Sequence, residues 1–303
     1  MELLFLGTGA GLPAKSRNVS AIALQLLQER GTEWLFDCGE GTQHQILRAP
    51  VKLHRLEKVF ITHLHGDHIF GLPGLLSSRS FHGAPSPLQV YGPPGLRSFV
   101  ECALSISSTH LTYPVEWVEV RPGVVWSDER FEVRCELLDH VVPSYGYRVT
   151  ERDKPGALRS DALKALGVPP GPIYGTLKAG GRVVLENGTV LDGREFLDPP
   201  IPGRTLAILG DTRPCASVRT LAQDADVLVH ESTFHSDLAP LAHQYGHSTA
   251  LDAAKMAHEA GTHALILTHI SARYQDDVTH LLDEARAVHP NTYVATDFWT
   301  YAF

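Results

Sequence analysis

Short apolar runs, separated by glycine-rich turns and stretches of helical period, fill the first 140 residues. Leu3–Gly7, Ala21–Leu26 and Trp34–Asp37 read as strands, the last ending in the turn Cys38-Gly39-Glu40-Gly41-Thr42. Thr42–Arg48 reads as a short helix, Lys58–Thr62 and Leu88–Tyr91 as strands, and Leu96–Ser107 as a helix after the break at Pro93-Pro94-Gly95. Phe131–Leu138 alternates apolar and polar residues, which predicts a strand buried on one face. The second half keeps a stricter beat. Strands at Thr205–Gly210, Asp226–His230, Ala264–Thr268 and Thr292–Thr296 are interleaved with helices at Ala216–Ala222, Thr249–Ala260 and Val278–Val288. Such alternation predicts a layered α/β architecture.

The stretch from Lys154 to Gly181 breaks the beat: ten of its residues are Gly or Pro, too many for a core element. Residues 152–182 also carry six cations (Arg152, Lys154, Arg159, Lys164, Lys178 and Arg182) against Asp153 and Asp161. The whole chain has a net charge of −8, so the remainder carries −12. Asn187-Gly188 between Val183–Leu185 and Thr189–Leu191 is a hairpin signal that returns the chain to the body. The expectation is one domain over 1–303 with a flexible basic arm inserted at 152–182.

Composition narrows the class. With 43% apolar and 20% charged residues in 303, a disordered or fibrous chain is excluded. An acidic chain is not held to nucleic acid by overall charge, so any RNA contact must rest on local patches. Cys38, Cys102, Cys135 and Cys215 lie far apart with no CxxC pair, which argues against a disulfide framework or a cysteine metal site. Glu2 stands where a signal peptide would be basic, and no apolar run approaches about 18 residues, so a cytoplasmic location is expected. The 17 histidines change the picture most.

His63-Leu64-His65-Gly66-Asp67-His68 directly follows the strand Val59–Thr62. Four potential ligands in six residues converge only if the chain leaves the strand as a loop and turns at Gly66. The same grammar recurs: apolar strands run into Asp139-His140, Asp211, His230-Glu231 and His269. Ligands collect at the carboxyl ends of strands in α/β sheets, so five strands aim at one site. Imidazole and carboxylate together suit zinc.

The HxHxDH motif at 63–68 resembles that of the metallo-β-lactamase superfamily. That resemblance implies a four-layer αββα sandwich with two zinc ions per chain, manganese being the alternative metal. It implies His63, His65 and His140 as ligands of the first ion, Asp67, His68 and His269 of the second, and Asp211 as the bridge. Four further features are similar to the ribonuclease Z family of tRNA 3′-processing endonucleases. Pro13-Ala14-Lys15-Ser16-Arg17-Asn18 matches its PxKxRN loop, and Asp37-Cys38-Gly39-Glu40-Gly41-Thr42 its DxGEGT stretch. His230-Glu231-Ser232-Thr233, with serine where alanine is usual, and His247-Ser248-Thr249 match its HEAT-type and HST motifs. The basic insertion is similar to the family's tRNA-binding arm, with Gly171-Pro172 and Leu177-Lys178 in matching places.

The resemblance implies a homodimeric endoribonuclease that cuts precursor tRNA after the discriminator nucleotide, leaving a tRNA 3′-OH and a trailer 5′-phosphate. Asp67 is the candidate proton acceptor, His247 the donor and Glu231 its orienting partner. Asp37 is expected to hold a ligand histidine. Lys15, Arg17, Asn18 and Arg273 are expected at phosphates near the cut, and Gly171, Pro172 and Lys178 on the arm. A lactonase or thioesterase would share the ligands but has no use for the arm or the 13–18 loop. A non-catalytic RNA-binding relative would have no need of an intact Asp67, His68 and Asp211.

Overall fold

The computed structural model describes all 303 residues. In chain order the strands are β1 Glu2–Gly7, β2 Ala21–Leu26, β3 Thr32–Phe36, β4 Leu56–Phe60, β5 Leu88–Gly92, β6 Val115–Glu119, β7 Gly123–Ser127 and β8 Phe131–Leu137. They continue with β9 Tyr145–Glu151, β10 Arg182–Val184, β11 Val190–Asp192, β12 Thr205–Ile208, β13 Val227–Glu231, β14 Ala264–Thr268, β15 Thr292–Val294 and β16 Thr300–Ala302. Two seven-stranded sheets form, ordered β16-β1-β2-β3-β4-β5-β6 and β15-β14-β13-β12-β9-β8-β7. The first turns from antiparallel (β1–β2–β3) to parallel (β3–β4–β5–β6), and β12 to β15 are all parallel.

Side-chain alternation along the strands explains the layering. Trp34, Phe36 and Phe60 point from the first sheet toward the second, where Tyr147 of β9 meets Phe60 at 5.2 Å between ring centroids and Trp126 of β7 meets Trp34 at 5.3 Å. The Tyr147 hydroxyl donates to the Ile61 carbonyl at 2.7 Å, so the buried ring brings its polar tip to a partner. Leu35 and Val59, one residue out of phase, face the opposite way and pack with Leu72, Leu75, Leu76, Leu96 and Val100 of the helices Leu72–Phe81 and Leu96–Ile106. On the far side of the second sheet, Ala207, Leu228 and Leu265 pack on Val218, Leu221, Ala253, Ala257 and Leu281 of three helices. Helix, sheet, sheet and helix are the four expected layers.

The chain divides into two compact units. The larger contains the first sheet, all of the second but the ends of β7, β8 and β9, and every residue of the centre described below. The smaller comprises Ser127–Glu132 and Thr150–Arg204, wider than the expected 152–182. Its Gly/Pro density does not prevent a small core: Leu163, Val168, Leu177 and Leu191 are buried together, between the helices Ser160–Ala165 and Pro172–Lys178 and the β10–β11 hairpin. The prolines and glycines sit between these elements or at their ends.

Glu57 illustrates how the first sheet tolerates polar groups. Its carboxylate accepts from Trp34 Nε1 (3.0 Å), Thr32 Oγ1 (2.9 Å) and the Arg30 and Lys58 cations. Burial alone would raise its pKa, but these partners outweigh it and lower the value from 4.5 to about 2. A depressed folded-state pKa stabilises the fold above the unfolded value and loses that contribution as pH falls through the folded one. Glu57→Gln is therefore expected to lower the melting temperature by a few degrees at pH 7. The difference from wild type should shrink between about pH 4.5 and 2 in a pH series of thermal melts.

Candidate metal centre

The expected ligands come together at one end of the two sheets. β4 delivers His63, and the loop beyond it carries His65 into the short helix Gly66–Ile69, which bears Asp67 and His68. His140 follows β8, Asp211 follows β12 and His269 follows β14. Donor atoms of His63, His65, His140 and Asp211 all lie within 4.8 Å of one another, as do those of Asp67, His68 and His269. Asp211 faces both groups: its oxygens are 3.7 Å from His63 Nε2, 3.6 Å from His68 Nε2 and 3.4 Å from His269 Nε2.

The outward hydrogen bonds of the rings test whether this set fits a cation. The Gly246 carbonyl accepts from His140 Nδ1 at 2.7 Å, and Asp37 Oδ2 accepts from His68 Nδ1 at 2.7 Å. The Thr62 hydroxyl donates to Asp37 Oδ2 (2.9 Å) and so accepts from His63 Nδ1 (3.0 Å). The Thr233 hydroxyl donates to Glu231 Oε2 (2.8 Å) and accepts from His269 Nδ1 (2.9 Å). Each of these rings is thereby left with its lone pair on Nε2. Those lone pairs converge: His63 Nε2 and His140 Nε2 stand 3.1 and 3.3 Å from His65 Nδ1, and His68 Nε2 stands 3.4 Å from His269 Nε2. With both rings neutral, the facing Nε2 acceptors of His68 and His269 repel unless a cation lies between them. Imidazoles plus carboxylates suit a divalent ion. Burial, reinforced by neighbouring rings, lowers the pKa of His63, and burial also lowers those of His65 and His140, keeping them in the neutral, ligating form.

Asp37 underlies the arrangement. Besides holding His68 directly and His63 through Thr62, it accepts from the Thr62 amide at 2.8 Å. Its φ of 57° lies in the left-handed region, as does that of His269 at 55°. Strained backbone held in place by its surroundings gathers at functional sites. Gly39 is required by packing: a Cβ there would lie 2.3 Å from the Asp67 carbonyl oxygen. Asp67 Oδ2 accepts from the Gly11 amide at 2.8 Å and stands 3.3 Å from His269 Nε2. Although burial opposes ionisation, the His269 and His68 rings beside it hold its pKa well below the usual carboxylate range.

His247 borders the set, its donor atoms within 4.8 Å of those of Asp211 and His269. Its Nδ1 lies 3.0 Å from Glu231 Oε1, an oxygen that also accepts from the Ser248 and Thr212 amides. Glu231 is buried, and burial raises its pKa, but His247 and its neighbours bring it down to about 2. For His247, burial favours the neutral ring while the Glu231 carboxylate overrides it, raising the pKa to about 9. The Glu231 carboxylate thus favours the protonated ring, with Nε2 left for another partner.

Other expected residues divide. Lys15 is exposed, and Arg273 is exposed with its guanidinium over the Phe234 ring at 5.5 Å. Asn18 donates to the Glu40 carbonyl at 2.9 Å, bracing the 13–18 loop against the DxGEGT turn. Arg17 is a correction. It is buried, and its Nη1 donates to Thr8 Oγ1 at 2.7 Å and the Ala295 carbonyl at 2.6 Å, so it anchors the loop from beneath and presents no free phosphate grip. His230 points away from the cluster, fully buried with Nδ1 on the Glu231 carbonyl at 2.6 Å. Gly171, Pro172 and Lys178 are exposed on the smaller unit. Lys154, Lys164 and Arg182 are paired there with Glu151, Asp161 and Asp192, and Arg159 donates to the Glu195 carbonyl. The sequence reading gave Thr62 and Thr233 no role: Thr62 reads as a strand residue and Thr233 only as the end of the His230-Glu231-Ser232-Thr233 motif.

Comparison with known proteins places the chain among named relatives. Residues 1–111 match the family described as "Anti-Pycsar protein Apyc1". The chain is 59% identical to the ribonuclease Z of Geobacillus kaustophilus, across 100% of this chain and 99% of that one. It is 57% identical to the ribonuclease Z of Anoxybacillus flavithermus, across 100% and 97%. Among solved structures, the short form of human tRNase Z superposes with a TM-score of 0.73 at 31% identity, covering 100% of this chain and 99% of that one. The metallo-β-lactamase-fold protein YhfI from Bacillus subtilis superposes with a TM-score of 0.69 at 20% identity, a likeness of fold, covering 99% and 98%.

Proposed function

This chain belongs to the ribonuclease Z family, and from that premise we propose that it removes the 3′ trailer of precursor tRNA by a single cut after the discriminator nucleotide. The observation that carries this reading is the two donor groups that Asp211 faces, with His247 held on Glu231 beside them. His63, His65 and His140 would hold one zinc, Asp67, His68 and His269 the other, and Asp211 would face both. When bound, such a pair neutralises phosphate charge and acidifies a water toward neutral pH.

The chain's own groups move the protons. The Gly11 amide occupies Asp67 Oδ2, and the Asp67 carboxylate takes the proton of the attacking water as its oxygen forms the new bond to phosphorus. His247 Nε2 delivers its proton to the departing ribose 3′-oxygen as the P–O3′ bond breaks, giving a tRNA 3′-OH and a trailer 5′-phosphate. Glu231 keeps that ring oriented and charged and is a positioning residue. A ribose oxygen is a poor leaving group until protonated, so a cationic histidine next to the scissile bond matches the need.

In the smaller unit, Lys178 and Arg159 are the cations offered to tRNA phosphates, with Gly171-Pro172 as the adjoining contact. Lys178→Glu combined with Arg159→Glu is expected to raise KM for precursor tRNA about tenfold and to flatten its salt dependence by about one unit of log–log slope per lost phosphate. Hydrolysis of bis(p-nitrophenyl) phosphate should stay unchanged; a parallel fall in both activities would contradict the assignment. Lys15 and Arg273 are proposed at phosphates near the cut. No helix is long and apolar enough to cross a membrane. A cytoplasmic homodimer is the state we propose, supported by the family membership.

A further inference from the structure

Four exposed apolar side chains stand beside polar contacts of the centre. Gly11 donates to Asp67, and its neighbour Leu12 is 61% exposed. Phe70, two residues after His68, is 62% exposed, and a Cβ on Gly66 would lie 2.3 Å from its ring, so the ring covers the backbone between His65 and Asp67. Val141, next to His140, is 56% exposed and lies against Gly246, where a Cβ would be 3.2 Å from its Cγ1. Tyr245, next to Gly246 and two residues before His247, is 55% exposed. Scattered exposed apolar residues are ordinary; four within two residues of a charged centre's polar contacts are not. A bare phosphate gains nothing from them. Nucleobases do, because their faces are apolar and stack on aromatic rings.

We propose that Leu12, Phe70, Val141 and Tyr245 form a collar that seats the bases on either side of the scissile phosphate, with Phe70 and Tyr245 as the stacking platforms. This rests on the reading of the centre as a tRNA 3′-processing site and adds to it how unpaired nucleotides are held there. Stacking is indifferent to base identity, so the collar accepts varied discriminators and trailers while fixing the phosphate between them. Positioning of this kind acts on the reacting geometry from outside the chemistry.

The test is a cycle of protein and substrate changes, read as kcat/KM on a labelled precursor tRNA. Tyr245→Ala and Phe70→Ala are each expected to lose about 5- to 100-fold on the intact substrate. On a precursor that is abasic at the discriminator and first trailer nucleotide, wild type should fall by a similar factor and the variants should lose little more. Tyr245→Phe and Phe70→Leu, which keep an apolar body, guard against disruption of the metal loop, and Tyr245→Phe should retain near-wild-type rates. Bound metal is measured for every variant. Equal losses on intact and abasic substrates, or no loss on either, would overturn the collar while leaving the endonuclease reading intact. Failure of the wild type to cut the intact precursor would overturn both.

Discussion

Replacing His247 by alanine is expected to slow single-turnover cleavage of precursor tRNA by about 10²- to 10⁴-fold while leaving bound metal unchanged. The expectation rests on how the ring is tied. Its Nδ1 is committed to Glu231 at 3.0 Å, a carboxylate fixed by three backbone amides and the Thr233 hydroxyl. The proton it needs as a donor is therefore held at neutral pH, with the pKa near 9. The ring also lies within reach of Asp211 and His269, so a ligand role is the competing assignment. The metal measurement separates the two. Loss of metal together with activity would make His247 a ligand, and an unchanged rate would remove it from the mechanism.

Asp37→Asn is expected to weaken metal affinity by about 10- to 100-fold, the scale found when the partner of a ligating histidine is lost. Asparagine tolerates the left-handed backbone that Asp37 adopts at φ 57°, so the change is chemical and leaves the fold unstrained. It removes the charge that holds His68 Nδ1 and, through Thr62, His63 Nδ1. One carboxylate thus orients a ligand in each of the two groups, and both should loosen together. Competition of the purified protein with a metal-indicating chelator reads this directly; wild-type affinity in the variant would show that the outer bonds are dispensable.

The residues that carry the chemistry were legible because they are local. HxHxDH follows a strand, Asp37 opens a glycine turn, and Asp211 and His269 each end an apolar run, so a rule about strand ends finds them. The helix Leu72–Phe81 was not predicted: Pro73 and Gly74 in its first turn weaken the helical signal, although proline is at home there. Strand Tyr145–Glu151 was missed as well, with Gly146 at its start and polar Arg148 and Thr150 in its alternation. Arg17 shows a different limit. A cation in a polar loop looks available, yet its partner Ala295 lies 278 residues away, and only the fold brings that carbonyl beneath it. The arm's charge misleads for the same reason, since Glu151 and Asp192 pair with cations counted as free.

The most direct test of the account is cleavage of an end-labelled precursor tRNA carrying a 3′ trailer, with chelator, then with zinc restored, and with the cut mapped. The account predicts one cut after the discriminator, a 3′-OH on the tRNA, complete loss with chelator and recovery with zinc. Intact precursor after incubation with protein that retains two metal ions per chain would contradict it.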